Sequence, residues 1–161
     1  RFFTVYGPLG RPDMAPMIFA KSILDSEPIK VFNYGKMSRD FTYIDDVVES
    51  IFRCTFKQAI SNNMFDTNDP DPATSKAPHM ILNIGNSKSV ELLKFIDILE
   101  ENLGKKAIKE FHPIQEGDVL NTFADNSSLQ NWINFSPTIS IEVGLRKFAN
   151  WYRDYYYSLT K

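Results

Sequence analysis

Two short apolar runs set the limits on what this chain can fold into. Phe2-Phe3-Thr4-Val5-Tyr6 and Met80-Ile81-Leu82-Asn83-Ile84 carry no charged side chain. The first is rich in aromatic and β-branched residues. A strand with one wet face alternates apolar and polar side chains. A run that is apolar at nearly every position suits a strand covered on both faces, as in a parallel sheet. Two such strands cannot cover each other, so helices and further strands must supply the rest. Helical patterns do lie between and after them. The order strand, helix, strand, helix, strand, helix argues for an α/β architecture. With 161 residues, the chain has about the length of one domain.

In order along the chain, Gly7-Pro8-Leu9-Gly10-Arg11-Pro12 is a loop after the first strand. Met14 to Asp25 has helical spacing, with Pro16 tolerable in the first turn. Ile29 to Tyr34 reads as a short strand. Asp45 is a candidate N-cap for a helix from Asp46 to about Ile60, with Val47, Val48, Ile51, Phe52 and Cys54 facing inward. Residues 61–79 collect Asn, Asp and Pro and read as a long turn-rich connection. Ser89 is the expected cap of a helix to Leu103, with Leu92, Phe95, Ile96, Leu99 and Leu103 on one face and Gly104 as its stop. Lys105 to Ile114 reads as a strand, and Gln115 to Asp118 as a turn. Leu120 to Ala124 is extended, and Asp125 caps a short helix through Trp132. Ser140 caps the last helix, with Leu145, Phe148, Ala149, Tyr152, Tyr156 and Leu159 on one face.

Net charge is -2 and hydrophobic residues make up 43%, an ordinary globular balance that implies no nucleic-acid or membrane partner. The single cysteine, Cys54, has no partner for a disulfide and fits core packing in a reducing, cytoplasmic setting. No apolar run approaches membrane-spanning length, and no signal peptide is visible. His79 and His112 stand apart from any metal-ligand spacing. The aromatic run Trp151 to Tyr157 lacks the basic surroundings of a nucleic-acid platform and suits helix packing or a partner interface. No glycine-rich dinucleotide turn occurs. A Tyr-x-x-x-Lys spacing appears only at Tyr157/Lys161, at the extreme terminus, where fraying is expected and the spacing carries little weight.

The chemistry gathers in a few short stretches. Gly35 to Val47 places Arg39 before an extended run and then an acidic pair that opens a helix. A guanidinium offers a rigid fork of donors that matches phosphate oxygens. The plain alternative is a surface arginine paired with Asp40. Arg11, in the Gly-Pro loop, is either a solvated partner of Asp13 or an anion contact. Thr4 puts a hydroxyl into a buried strand, where it needs a partner, whether ligand or backbone. Phe32 is either a stacking face or core. Asp118 sits in a Gly-Asp turn with Gln115 three residues before it.

Arg39-Asp40-Phe41-Thr42-Tyr43-Ile44-Asp45-Asp46 resembles the Arg-Asp-(Phe/Tyr)-x-x-(Val/Ile)-x-Asp segment of extended short-chain dehydrogenase/reductase enzymes acting on nucleotide sugars. The opening Arg1 to Ala15 is similar to the UDP-glucuronate 4-epimerase branch of this NAD-dependent epimerase/dehydratase group. The resemblance implies that residues 1–161 form one substrate-binding region, carrying the last strands of a parallel nucleotide-binding sheet. It also implies a fragment whose N-terminal NAD-binding half, with the catalytic Tyr and Lys, lies elsewhere. In such enzymes NAD takes a hydride from C4 of the UDP-hexuronate and returns it to the other face. The matching positions here would bind substrate. Val31, Phe32 and Asn33 would line the uracil pocket, and Arg39 would hold the diphosphate. Asp118 would take the ribose hydroxyls, with Gln115 in the place where UDP-galactose enzymes carry Arg. Thr4 and Arg11 would face the uronate. The chain alone is expected to be inactive, and the full-length enzyme to be a possible homodimer. A nucleotide-sugar decarboxylase or 4,6-dehydratase shares the pattern, and a non-catalytic nucleotide-sugar-binding domain is the reading from another class.

Overall fold

The computed structural model describes residues 1–159. Lys161, and with it the Tyr157/Lys161 spacing, lies outside the described residues. Strand β1 (Thr4–Tyr6) leads through the Gly-Pro loop to helix α1 (Ala15–Asp25). Strand β2 (Pro28–Val31) runs into a tight turn where Asn33 and Tyr34 both take left-handed backbone (φ 48° and 52°). Strand β3 (Ser38–Tyr43) then feeds directly into α2 (Ile44–Thr55). After a long irregular stretch come β4 (Ser89–Glu91), α3 (Leu92–Leu103) and β5 (Ile108–Phe111). Helices α4 (Ser127–Ile133) and α5 (Ile141–Trp151) close the chain, and α5 continues through a wider π-type turn at Tyr152–Tyr156.

The strands form two small sheets. In one, the order is β1-β3-β4, with β1 parallel and β4 antiparallel to β3. In the other, β2 and β5 pair in parallel, with Val31 opposite Phe111. The mixed α/β order expected from the apolar periodicity is therefore present, with parallel pairing in both sheets. The main core lies where α3 packs against α1 and α5. Phe95 of α3 stacks on Phe41 of β3 at 4.4 Å between ring centroids, and Tyr6 of β1 meets both edge-on. A second cluster joins Val47, Ile84, Leu129 and Ile133, with the half-buried Cys54 against it. That contact matches the packing role expected for the cysteine, and burial pushes its thiol pKa up.

Several local expectations are corrected. Residues 80–84 do not form a strand. The two ends of the run make isolated bridges, Met80 antiparallel to Thr74 and Ile84 parallel to Phe2, and no continuous ladder joins them. Helix α2 is capped by Tyr43, so Asp45 and Asp46 fall in its first turn, where carboxylates suit the helix dipole. It ends at Thr55, not Ile60, and Val48, Ile51 and Phe52 are exposed rather than inward. Ser89 belongs to β4, and Glu91 precedes α3 as its cap residue. Asn126, not Asp125, is the cap of α4, although Asp125 accepts the Ser127 N–H at 2.9 Å. Leu159 is exposed, off the buried face of α5. Two signals hold as read. Gly104 ends α3 in left-handed backbone (φ 70°), and the Ser140 hydroxyl accepts the Val143 N–H at the start of α5.

Candidate substrate site

Strand β3 alternates its side chains between two faces, so neighbours 39 and 40 must point apart. Arg39 turns toward a cavity of about 280 Å³ enclosed by β1, the start of α1, β2 and β3. Asp40 turns the other way and is fully buried. The pairing of Arg39 with Asp40 weighed from sequence is thereby excluded. Arg39 instead reaches Asp118, 79 residues on, with Nη2 donating to the carboxylate at 2.6 Å. Its Nη1 donates to the Ser38 carbonyl at 2.9 Å and to the Leu120 carbonyl at 3.4 Å. Both side chains are mostly shielded, 20% exposed for Arg39 and 31% for Asp118.

Asp118 comes into range because Gly117 takes left-handed backbone (φ 80°) and the Asp118 N–H returns to the Gln115 carbonyl at 3.2 Å. The carboxylate also accepts the Val119 N–H at 2.8 Å. The Gly-Asp turn expected from sequence is thus formed. Gln115 shapes it through its backbone, and its side chain does not line the cavity.

Of the eight candidate residues, Thr4, Phe32, Arg39 and Asp118 line this one cavity. Arg11 does not. It forms a two-pronged pair with Asp13 (2.7 and 3.0 Å) in open solvent. Val31 is fully buried, and its carbonyl accepts the His112 N–H at 3.0 Å. The Asn33 side chain bonds the Lys36 carbonyl at 2.8 Å and braces the left-handed turn. Sequence reasoning missed Lys30, Met37 and Leu92, which also line the cavity. Alternation could have found Lys30, which lies two residues before Phe32 on the same strand face.

The walls are mainly apolar, with Phe19, Met37 and Phe41 nearly buried, and the polar groups are Thr4, Lys30, Arg39 and Asp118. Such a site can hold a flat ring on Phe32, an anion on the two cations, and hydroxyls on the carboxylate. No histidine, cysteine or tyrosine is among the described residues lining it. Its volume falls just below the usual range of about 300–1,000 Å³ for small-molecule pockets. A larger groove of about 480 Å³ lies between α2 and α4 and contains none of the eight candidate residues. Arg53 bonds Glu49 and the Asn134 carbonyl, and Lys57 bonds the Trp132 carbonyl.

Residues 1–65 match the NAD dependent epimerase/dehydratase family. The chain is 47% identical over 156 residues to "Protein CapI" of Staphylococcus aureus, covering 97% of this chain and 47% of that protein. It is 42% identical over 157 residues to a probable UDP-glucuronate 4-epimerase of Rhizobium meliloti, covering 97% of this chain and 46% of the relative. In three dimensions it resembles UDP-glucuronic acid 4-epimerase from Bacillus cereus, solved in complex with UDP-glucuronic acid and NAD. There the TM-score is 0.76 at 31% identity, covering 96% of this chain and 44% of the other. The chain spans about half the length of the curated relatives it matches. The resemblance read from the Arg39–Asp46 segment thus recurs over nearly the whole chain in both sequence and fold, while the match to the NAD dependent epimerase/dehydratase family itself spans residues 1–65.

Proposed function

We propose that this chain is the nucleotide-sugar-binding portion of an NAD-dependent UDP-glucuronate 4-epimerase, which interconverts UDP-glucuronate and UDP-galacturonate when the whole enzyme is assembled. The observation that carries the reading is the convergence of Thr4, Phe32, Arg39 and Asp118, four positions distributed over 115 residues of sequence, on one cavity. Arg39 supplies the diphosphate clamp, Asp118 the ribose acceptor and Phe32 the face for the base. Thr4 is the polar group on the remaining wall.

The described residues do not fit NAD itself. They offer no glycine-rich dinucleotide turn of the kind that receives a pyrophosphate between a strand and a helix. The cofactor would therefore be held by the part of the protein that corresponds to the uncovered half of the relatives. Turnover by this chain alone is not expected. No membrane-crossing helix is present among the described residues, since none is long and apolar enough.

The test is titration calorimetry of the chain with UDP-glucuronate, repeated with Arg39→Ala. Binding that the substitution abolishes supports the reading. Binding that survives it unchanged overturns the role of Arg39, and no binding by the wild-type chain overturns the claim that these residues suffice for the site.

A further inference from the structure

Asp40 follows Arg39 but faces away from the cavity, and its surroundings give it another task. Its side chain is fully buried, and it forms no ion pair among the described residues. One carboxylate oxygen accepts the Asn86 N–H at 2.7 Å. The other accepts the Ser87 N–H at 3.0 Å and the Ala124 N–H at 2.9 Å. The Asp40 N–H donates to the Thr122 hydroxyl at 2.9 Å. A carboxylate accepts at both oxygens and donates at neither, so it can gather three backbone N–H groups where an amide cannot.

One of these bonds anchors the run that carries Asp118. Between 118 and 124 that run is held to β3 by polar links. Ser38 N–H reaches the Leu120 carbonyl at 2.9 Å, and Thr122 N–H reaches the Ser38 carbonyl at 3.3 Å. Val119, Leu120 and Phe123 are each more than half exposed, so apolar burial does little to hold it. Ala124 is fully buried and is the point at which the run enters the interior. The fit there is close, since a side-chain carbon on Gly85 would come within 2.3 Å of the Ala124 methyl.

We infer that Asp40 is a positioning residue for the substrate site: its buried carboxylate sets the register of residues 118–124 along β3 and so holds Asp118 opposite Arg39. Arg39 faces the ligand, and Asp40, one residue on and on the opposite face, fixes the turn that completes the ligand's surroundings. This rests on the nucleotide-sugar reading of the cavity only for its second test.

The first test needs no ligand. Amide hydrogen exchange is followed in the wild-type chain, in Asp40→Asn and in Thr122→Val, the last removing only the acceptor of the Asp40 N–H. Protection at Thr122 and Ala124 is expected to fall about tenfold or more, while amides of α3 and α5 keep theirs. Unchanged protection at 122 and 124 overturns the inference. If Asp40→Asn does not fold, exchange in the wild-type chain carries the test: the Asn86, Ser87 and Ala124 amides, all donated to the one carboxylate, are expected to open together, and an Ala124 amide that exchanges about tenfold or more faster than the other two overturns the inference.

The second test is a double-mutant cycle on UDP-glucuronate affinity. Arg39→Ala is expected to cost about tenfold or more in the wild type, and about threefold or less in the Asp40→Asn or Thr122→Val background, because the loosened turn has already spoiled the clamp. Strictly additive losses would mean that Asp40 supports the fold without acting through the site, and would overturn the inference. A wild-type chain that does not bind, or an Arg39→Ala chain that binds equally well, defeats the nucleotide-sugar reading instead and leaves the exchange result to judge Asp40.

Discussion

Helices α2 and α3 are both 12 residues long, and both show an apolar stripe at helical spacing, yet the molecule treats them differently. Helix α3 sinks its stripe completely: Phe95, Ile96 and Leu99 are fully buried and Leu103 nearly so, against α1 and α5. Helix α2 turns Val48, Ile51 and Phe52 outward at 44–58% exposure and buries Asp46, Val47 and Ser50 instead. Its inward side is held by hydrogen bonds: Asp46 accepts the Thr138 and Ile139 N–H groups, and the Ser50 hydroxyl donates to the Asp46 carbonyl. An apolar stripe therefore marks which residues would profit from cover. It does not say that anything among the described residues provides it.

The contrast can be sharpened by substitution. Leu99→Ala in α3 should cost about 2–5 kcal/mol, the usual range for emptying a fully buried leucine site, and chemical denaturation would read it directly. Asp46→Ala in α2 should cost about 1–3 kcal/mol, because it strands two backbone N–H groups in a half-buried place. A loss no larger than a surface substitution gives would show that water replaces the carboxylate at no cost.

Acid exposes a third difference, since α3 carries a buried charge. Glu100 is 1% exposed, with Lys106 at 2.6 Å and Lys109 at 2.7 Å. Burial pushes its carboxyl up, but the hydrogen bonds from Lys106, Lys109 and the Ala107 N–H outweigh that and hold it below the ordinary glutamate value. A depressed folded-state pKa gives stability that is fully present above the unfolded value and is lost as pH falls through the folded one. The stability gap between wild type and Glu100→Gln should thus be constant near neutrality and close in acid, below the ordinary carboxylate range. A gap that persists at the lowest pH would break this account.

The smallest effect belongs to the outer face of α2. Phe52→Ala should change stability by no more than about 0.5 kcal/mol. If it costs as much as Leu99→Ala, and the cost depends on protein concentration, the face is covered in solution and the contrast between the helices is a property of the single chain only.

Much of this was legible in the residues. Stop and cap signals worked where a single residue decides the backbone, as at Gly104, Ser140 and Gly117, because left-handed φ and a side-chain cap are local demands. Burial was misjudged where it depends on partners. The run 80–84 has strand composition, but a strand needs a neighbour along its length, and only its two ends, Met80 and Ile84, have one. Arg11 and Arg39 make the same point within the candidate site. Arg11 took the partner two residues away that its sequence offers. Arg39 could not take its neighbour Asp40, because strand alternation sends adjacent side chains to opposite faces.

What the sequence determined by itself was the α/β alternation, the end of α3 at Gly104, the start of α5 at Ser140 and the family-like segment from Arg39 to Asp46, all of which depend on residues within a few positions of one another. Only the tertiary structure decided that Arg39 meets Asp118, that Asp40 joins three separated stretches of backbone, and that α2 leaves its apolar side uncovered. Those are choices among partners distant in sequence. Burial and hydrogen bonding act through space, so a residue's partner is set by the arrangement of the whole chain.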